Sequence, residues 1–332
     1  MKKKLQKKWI FIFLQIIITF VFLYLTFRNT KIESLKSALS TANYWLLALG
    51  LIPQLIAFFL LAAREKFLLN KLYHFRFRDL FEGVIIGYVG NNILPLRGGE
   101  FLKVLYWSKK SSKSYISLLS VALIERLLDL ICLILLFFVG SQVILAKMGF
   151  DIRWIACFVA SIFFCIGILI FLDWKYKNEF KLHASLQHLL GEAIAHYCND
   201  LINKVMTGFR VLGSSKNIFF AIVITLLYWA INLFGLAISF YAFHLPVSWE
   251  KIVVLLLATC FGTAIPAAPG YIGTFDYFSK MALVLYGVDQ SVAASFAIAT
   301  HFMSLVPFTL LGILFVYPAM SRLVKSPKAK SG

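Results

Sequence analysis

Acidic residues are scarce in this chain: 15 Asp and Glu stand against 33 Lys and Arg, a formal net charge of +18. Such a surplus invites a nucleic-acid partner, but the basic residues sit between apolar runs and at both ends rather than along one polar face. That is the bias of cytoplasmic loops in a membrane protein, with attraction to anionic lipid as a by-product, and it sets nucleic acid aside. Cysteine is sparse and unpatterned. Cys132, Cys157, Cys165, Cys198 and Cys260 have no metal or redox spacing, and four of the five lie in apolar segments where Cys acts as a small hydrophobe. Neither disulfide nor metal is expected. Also missing are a Walker loop, His-Glu-x-x-His, Gly-x-Ser-x-Gly and an Asp-x-Asp pair, while His183, His188 and His196 are too irregularly spaced to hold a metal. ATP hydrolysis, a cofactor and enzymatic activity are therefore not expected.

What is abundant is apolar length. The chain has 332 residues, 61% of them hydrophobic, with a mean hydropathy of +0.83. Those values place it among polytopic membrane proteins. Lys2, Lys3, Lys4, Lys7 and Lys8 precede an apolar run too long for a signal peptide, with no small-residue cleavage site near Arg28, so residues 9–27 read as a retained first span. Further spans are expected over about 45–63 (kinked at Pro53), 114–139, 153–172, 217–243 and 290–317. The basic stretch from Arg64 to Asp79 reads as a cytoplasmic interfacial helix. Residues 173–216 carry leucines at helical spacing and read as a cytoplasmic amphipathic insert. Trp107, Trp174 and Trp249 fit interfacial anchors.

Two segments break the pattern. In the first, Asn92, Pro95, Arg97, Gly98 and Glu100 interrupt a run with basic flanks on both sides, which favours a re-entrant hairpin over a crossing. In the second, Pro266, Pro269, Gly270 and Gly273 precede Asp276. Gly98 lies 28 residues before Arg126, and Gly273 lies 28 residues before His301. The expected fold is therefore all-α: a single integral membrane domain over 1–320, followed by a basic cytoplasmic tail over 321–332. Its two repeats cover about 9–139 and 153–317, each with three full spans and one broken re-entrant hairpin. An odd number of crossings per repeat inverts the second copy, an arrangement found in transporters. Both termini then lie in the cytoplasm, and the inner (plasma) membrane is the expected location.

Intramembrane charges are the natural candidates for function. Arg97 and Glu100 either sit in headgroup water at a turn or, with the glycine N–H groups, face an anion, for which the planar guanidinium is well suited. Glu125 and Asp129 share a helix face, and Arg126 can pair with Asp129. These three either lock helices together or line a wet groove crossed by a lipid headgroup. His301 is a bundle histidine or the counterpart of Arg126.

With these residues the chain resembles the lysylphosphatidylglycerol synthase transmembrane-region (flippase-like) family. The likeness rests on Asn92–Glu100, on Glu125-Arg126-Leu127-Leu128-Asp129, and on Pro266–Gly273 with Asp276. In the multiple peptide resistance factor the similar region is held to move aminoacylated phosphatidylglycerol between leaflets, and a separate C-terminal domain makes that lipid. This chain stops soon after its last span, so synthase activity is not expected of it. Asp276 and His301 stand where the family often has glutamate and arginine, departures that bear on headgroup preference. The resemblance implies translocation, or assisted translocation, of a phospholipid or lipid-linked headgroup. Anionic or isoprenoid-linked membrane lipids are the implied partners, with a lipid-tailoring enzyme as a further one. A membrane-embedded lipid-modifying enzyme and a non-transporting scaffold are the alternatives.

Overall fold

A computed structural model describes residues 2–70, 72–140, 192–209 and 214–325. Among these there is no strand. An apolar chain in lipid must satisfy its backbone polar groups internally, and helices do so segment by segment. α1 (Lys2–Phe27) turns by 84° into α2 (Ile32–Thr41). The bend is held by buried Lys280, whose Nζ donates to the carbonyls of Thr26 (2.7 Å) and Arg28 (3.1 Å), groups left over at the helix end. α3 (Tyr44–Leu49) and α4 (Leu51–Leu69) form one apolar stretch, capped at Asn43, whose side chain accepts from Leu46 N–H. The interruption falls at Gly50, in the turn whose Leu49 carbonyl Pro53 has no N–H to reach. α7 (Tyr115–Gly140), α9 (Ser215–Ala242) and α12 (Gln290–Lys325) are the other long helices.

Among the described residues three stretches are long and apolar enough to cross a membrane: Tyr44–Leu69, Lys216–Ala242 and Gln290–Ala319. The bent α1–α2 pair makes a fourth if it counts as one span. α7 matches them in length, with 26 residues, but carries three charges near its middle. The fourth expected span, 153–172, lies outside the described residues.

Both broken segments fold back on themselves. α5 (Phe77–Ile93) reaches a single turn at Pro95–Arg97 and returns as α6 (Gly98–Ser111), packed along α5. The contact is backbone on backbone: a Cβ on Gly99 would lie 1.9 Å from the Gly87 carbonyl oxygen. α10 (Trp249–Ala264) likewise reaches a turn at Pro269–Tyr271 and returns as α11 (Thr274–Val284). There Gly262 lies so close to α11 that a Cβ would be 2.8 Å from the Thr274 carbonyl oxygen. Gly270 and Gly273 take positive φ (74° and 89°), a conformation open to glycine at little cost. Arg97 and Tyr271, one at each tip, are held in the same left-handed region. Apolar packing falls into two cores, one around Phe58, Leu80, Trp107 and Ile124, the other around Trp229, Phe240, Leu255 and Phe296.

Two expectations fail here. Arg64–Asp79 is not an interfacial helix: α4 continues to Leu69, and Arg64 and Glu65 are buried inside the bundle. Trp107 is no interfacial anchor either. It is 1% exposed and donates from Nε1 to the Asp79 carbonyl at 3.1 Å. Trp249 is exposed at 51%, and Trp174 lies outside the described residues. Of the amphipathic insert, α8 (Glu192–Phe209) is described, and it packs on α7. A Cβ on Gly208 would meet the Ser117 carbonyl oxygen at 2.4 Å, and Phe209 is buried.

Candidate functional site

The helix spacing on α7 aims Glu125 and Asp129 at one neighbour, and that neighbour is Arg64 of α4. Arg64 donates from Nη2 to Glu125 Oε1 and from Nη1 to Asp129 Oδ1, both at 2.6 Å, with its side chain 0% exposed. Nη1 also reaches Thr225 Oγ1 of α9 (3.3 Å), and the guanidinium stands 5.9 Å from the Tyr228 ring centroid. A planar fork bridging two carboxylates is a task for which lysine has no equivalent.

Lys103 of α6 serves the other side. Its Nζ meets Glu125 Oε2 (2.7 Å), Glu100 Oε2 (3.0 Å) and Glu65 Oε1 (3.2 Å), above the Trp107 ring at 5.3 Å. Arg126 closes the network, pairing with Glu125 and lying 3.5 Å from both Glu100 and Asp129. Unlike Arg64 and Lys103, it is open to its surroundings, its side chain 43% exposed.

That open side is a cavity of about 460 Å³ between the two cores. Its walls include Asn91, Arg97, Glu100, Arg126, Tyr228 and Tyr271. The volume suits a small polar ligand or lipid headgroup. Arg97, at the tip of the first hairpin, donates from Nη2 to Thr263 Oγ1 (2.9 Å) and faces the Tyr271 ring at 5.7 Å. Among the described residues no carboxylate pairs with it. A smaller cavity of about 200 Å³, lined by Gln54, Ser239, Thr300 and Ser304, shares Asn232, Thr259 and Phe275 with the first.

The structure thus brings Arg97, Glu100, Glu125, Arg126 and Asp129 to one space. The remaining candidates lie elsewhere. Asn92 donates to Thr309 Oγ1 (2.8 Å). Gly98 rests on the Leu94 side chain, and Pro95, Pro266 and Pro269 are exposed around the turns. Asp276 and His301 brace the second hairpin. Asp276 Oδ2 accepts from Gly273 N–H (2.9 Å), and its Oδ1 lies 2.9 Å from His301 Nδ1. His301 Nε2 lies 2.8 Å from the Gly270 carbonyl, and Phe275 stacks on the ring at 4.3 Å. Both ring nitrogens therefore face acceptors. His301 is a strut between α12 and the turn, with Phe275 between it and the cavity.

Arg64 and Glu65 escaped sequence reading because they sit where an apolar span gives way to a basic run. Their adjacent opposite charges within one helical stretch were the available sign. Among the described residues no group of three His, Cys, Asp or Glu could hold a metal ion.

Comparison with known proteins agrees with this architecture. The family model described as the lysylphosphatidylglycerol synthase TM region matches residues 12–312. A UPF0104 membrane protein of Methanocaldococcus jannaschii is 23% identical over 330 residues, 95% of each chain. Another, from Methanothermobacter thermautotrophicus, is 24% identical over 291 residues, 84% of each chain. No solved structure matches.

Proposed function

The chain belongs to the lysylphosphatidylglycerol synthase TM region family, and from that premise we propose that this membrane protein moves, or helps to move, a lipid headgroup between leaflets. The headgroup occupies the central cavity while the acyl chains remain in the bilayer. The observation that carries this reading is Arg97, a cation with no carboxylate partner among the described residues, facing a headgroup-sized cavity inside an apolar bundle. A phosphate offers that guanidinium the bidentate partner it lacks. The neutral amides and hydroxyls of the adjoining smaller cavity extend the path with groups that hydrogen-bond without holding a charge. An anionic phospholipid or isoprenoid-linked phosphate is the fitting cargo, and a lipid-tailoring enzyme is the partner that would supply or consume it.

The direct test is a headgroup-resolved flipping assay in proteoliposomes. Arg97→Gln removes a charge-assisted contact of about 1.5–3 kcal/mol, so translocation should fall roughly tenfold or more. Abundance should hold, because no buried carboxylate is stranded. Wild-type flipping by Arg97→Gln would remove the arginine, and with it this reading.

The two hairpins are proposed to be re-entrant and to belong to inverted repeats, with the first entering from the cytoplasm, the second from outside, and both termini cytoplasmic in the inner membrane. In a cysteine-free background, Lys109→Cys should then react only from the cytoplasmic face and Leu285→Cys only from the outer face. Both positions are exposed. Labelling of both from one face would rule the inversion out.

A further inference from the structure

The buried network around Glu125 does not balance. Arg64, Lys103 and Arg126 face Glu65, Glu100, Glu125 and Asp129, so one negative charge is left over among the described residues. The shortfall can be located. Arg64 is engaged by Glu125 and Asp129, and Arg126 by Glu100, Glu125 and Asp129. Glu65 has a single ion-pair contact, to Lys103 at 3.2 Å, and that ammonium lies closer to both Glu100 and Glu125. Glu65 is 1% exposed, and its Oε2 is buried with no hydrogen-bond partner.

Besides Lys103, Glu65 faces the Glu125 carboxyl and the Arg64 charge, the latter already shared by Glu125 and Asp129. From α9 come Thr225 and Tyr228, both neutral, beside Arg64. From α5 comes Gly87 against the Lys103 stem, while the α5 carboxylate Glu82 is engaged by Tyr106 and Arg78. An uncompensated charge in a low-dielectric interior is expensive, and a carboxylate escapes that cost by taking up a proton.

We propose that Glu65 is a proton-binding site: the Lys103 ammonium, which lines the cavity, gives a proton to the Glu65 carboxylate and regains one from cavity water, and the steps reverse on release. The proton site itself stands on the charges of the network alone. Its consequence rests on the lipid reading above. A lipid phosphate that draws Arg126 away from Glu100 and Glu125 removes a cation from the network, so the proton is held more firmly. By reciprocity a bound proton strengthens the phosphate's hold, so the lipid should bind more tightly as pH falls.

Infrared difference spectroscopy on the full chain in nanodiscs tests occupancy without any transport. At neutral pH the wild-type protein should show the carbonyl stretch of a protonated carboxylic acid, shifting in heavy water. Glu65→Gln should lose the band, and Glu33→Gln, at an exposed position, should keep it. No such band in the wild type, or a band unchanged in Glu65→Gln, overturns the proposal. So does a Glu65→Gln chain that fails to fold, since a neutral amide close in shape to the protonated acid would then be intolerable. For the detergent-solubilised chain, binding of an anionic phospholipid should tighten with acidity in the wild type and should not in Glu65→Gln. Lipid that binds the wild type equally well at every pH also counts against the site. The band present with no flipping at any pH would sink the lipid reading and leave the proton site standing.

Discussion

Arg64→Met should lower the stability of the detergent-solubilised protein by about 3–5 kcal/mol, the usual cost of removing one partner from a buried charge pair. The loss should appear as a large drop in melting temperature or as failure to elute as a single species. Methionine keeps most of the side-chain length, so the expected loss is electrostatic. Glu125 Oε1 and Asp129 Oδ1 each lose a 2.6 Å contact, and among the described residues the half-exposed Arg126 is left to bridge the two. Arg64→Lys should fall between, because one ammonium is not a fork that spans both carboxylates. The triple change Arg64→Met, Glu125→Gln, Asp129→Asn should recover most of the melting temperature, although Lys103 and Arg126 then lose a partner. An Arg64→Met protein as stable as wild type would mean that α4 and α7 do not meet through this pair. Loss of translocation in the folded triple variant would assign the carboxylates to the lipid path as well.

Gly99→Ala should be nearly as damaging for a different reason. The added methyl would lie 1.9 Å from the Gly87 carbonyl oxygen and 2.4 Å from the Asn91 backbone nitrogen. Both neighbours are main chain, so no rotamer change makes room and α5 must separate from α6. Overpacking against movable side chains costs about 1–3 kcal/mol, and a backbone clash in the hairpin should exceed that range. Gly98→Ala is the control. Its nearest atoms belong to the Leu94 side chain, from 3.1 Å, and its φ of −58° suits any residue. The expected result is a chain that loses its single elution peak with Ala at 99 and keeps it with Ala at 98. Equal behaviour of the two would contradict the tight hairpin. Because the same hairpin carries Arg97 at its tip and Lys103 on its return arm, loosening it should also reduce lipid movement before the bundle unfolds.

Much of the architecture could be read along the chain because its causes are local. Long apolar runs exclude anything but helices in a bilayer. Pro95 and the glycines at 98, 99, 270 and 273 mark two turns whose positions the structure keeps within a few residues. The shared face of Glu125 and Asp129 follows from helical spacing alone. The charges of the cavity were visible as intramembrane charges, and Arg97, Glu100, Glu125, Arg126 and Asp129 do share one space.

The partnerships were not legible, because they join residues whose separation in sequence carries no period. Arg64 lies 61 residues from Glu125 and 65 from Asp129, and only the docking of α4 on α7 turns an apparent interface arginine into the centre of the network. Trp107 is aromatic and flanked by lysines, which is how an interfacial anchor reads locally. Gly83 allows it to lie against α5 instead, since a Cβ there would sit 2.2 Å from the Trp107 Nε1. His301 shares the spacing that links Gly98 to Arg126, yet Asp276 and the Gly270 carbonyl occupy both its nitrogens and make it a strut. Sequence determined which segments are helices and where they break, through hydrophobicity and backbone stereochemistry. Tertiary packing decided which charges neutralise one another and left Arg97 without a carboxylate among the described residues, because that depends on distances between helices that local sequence does not encode.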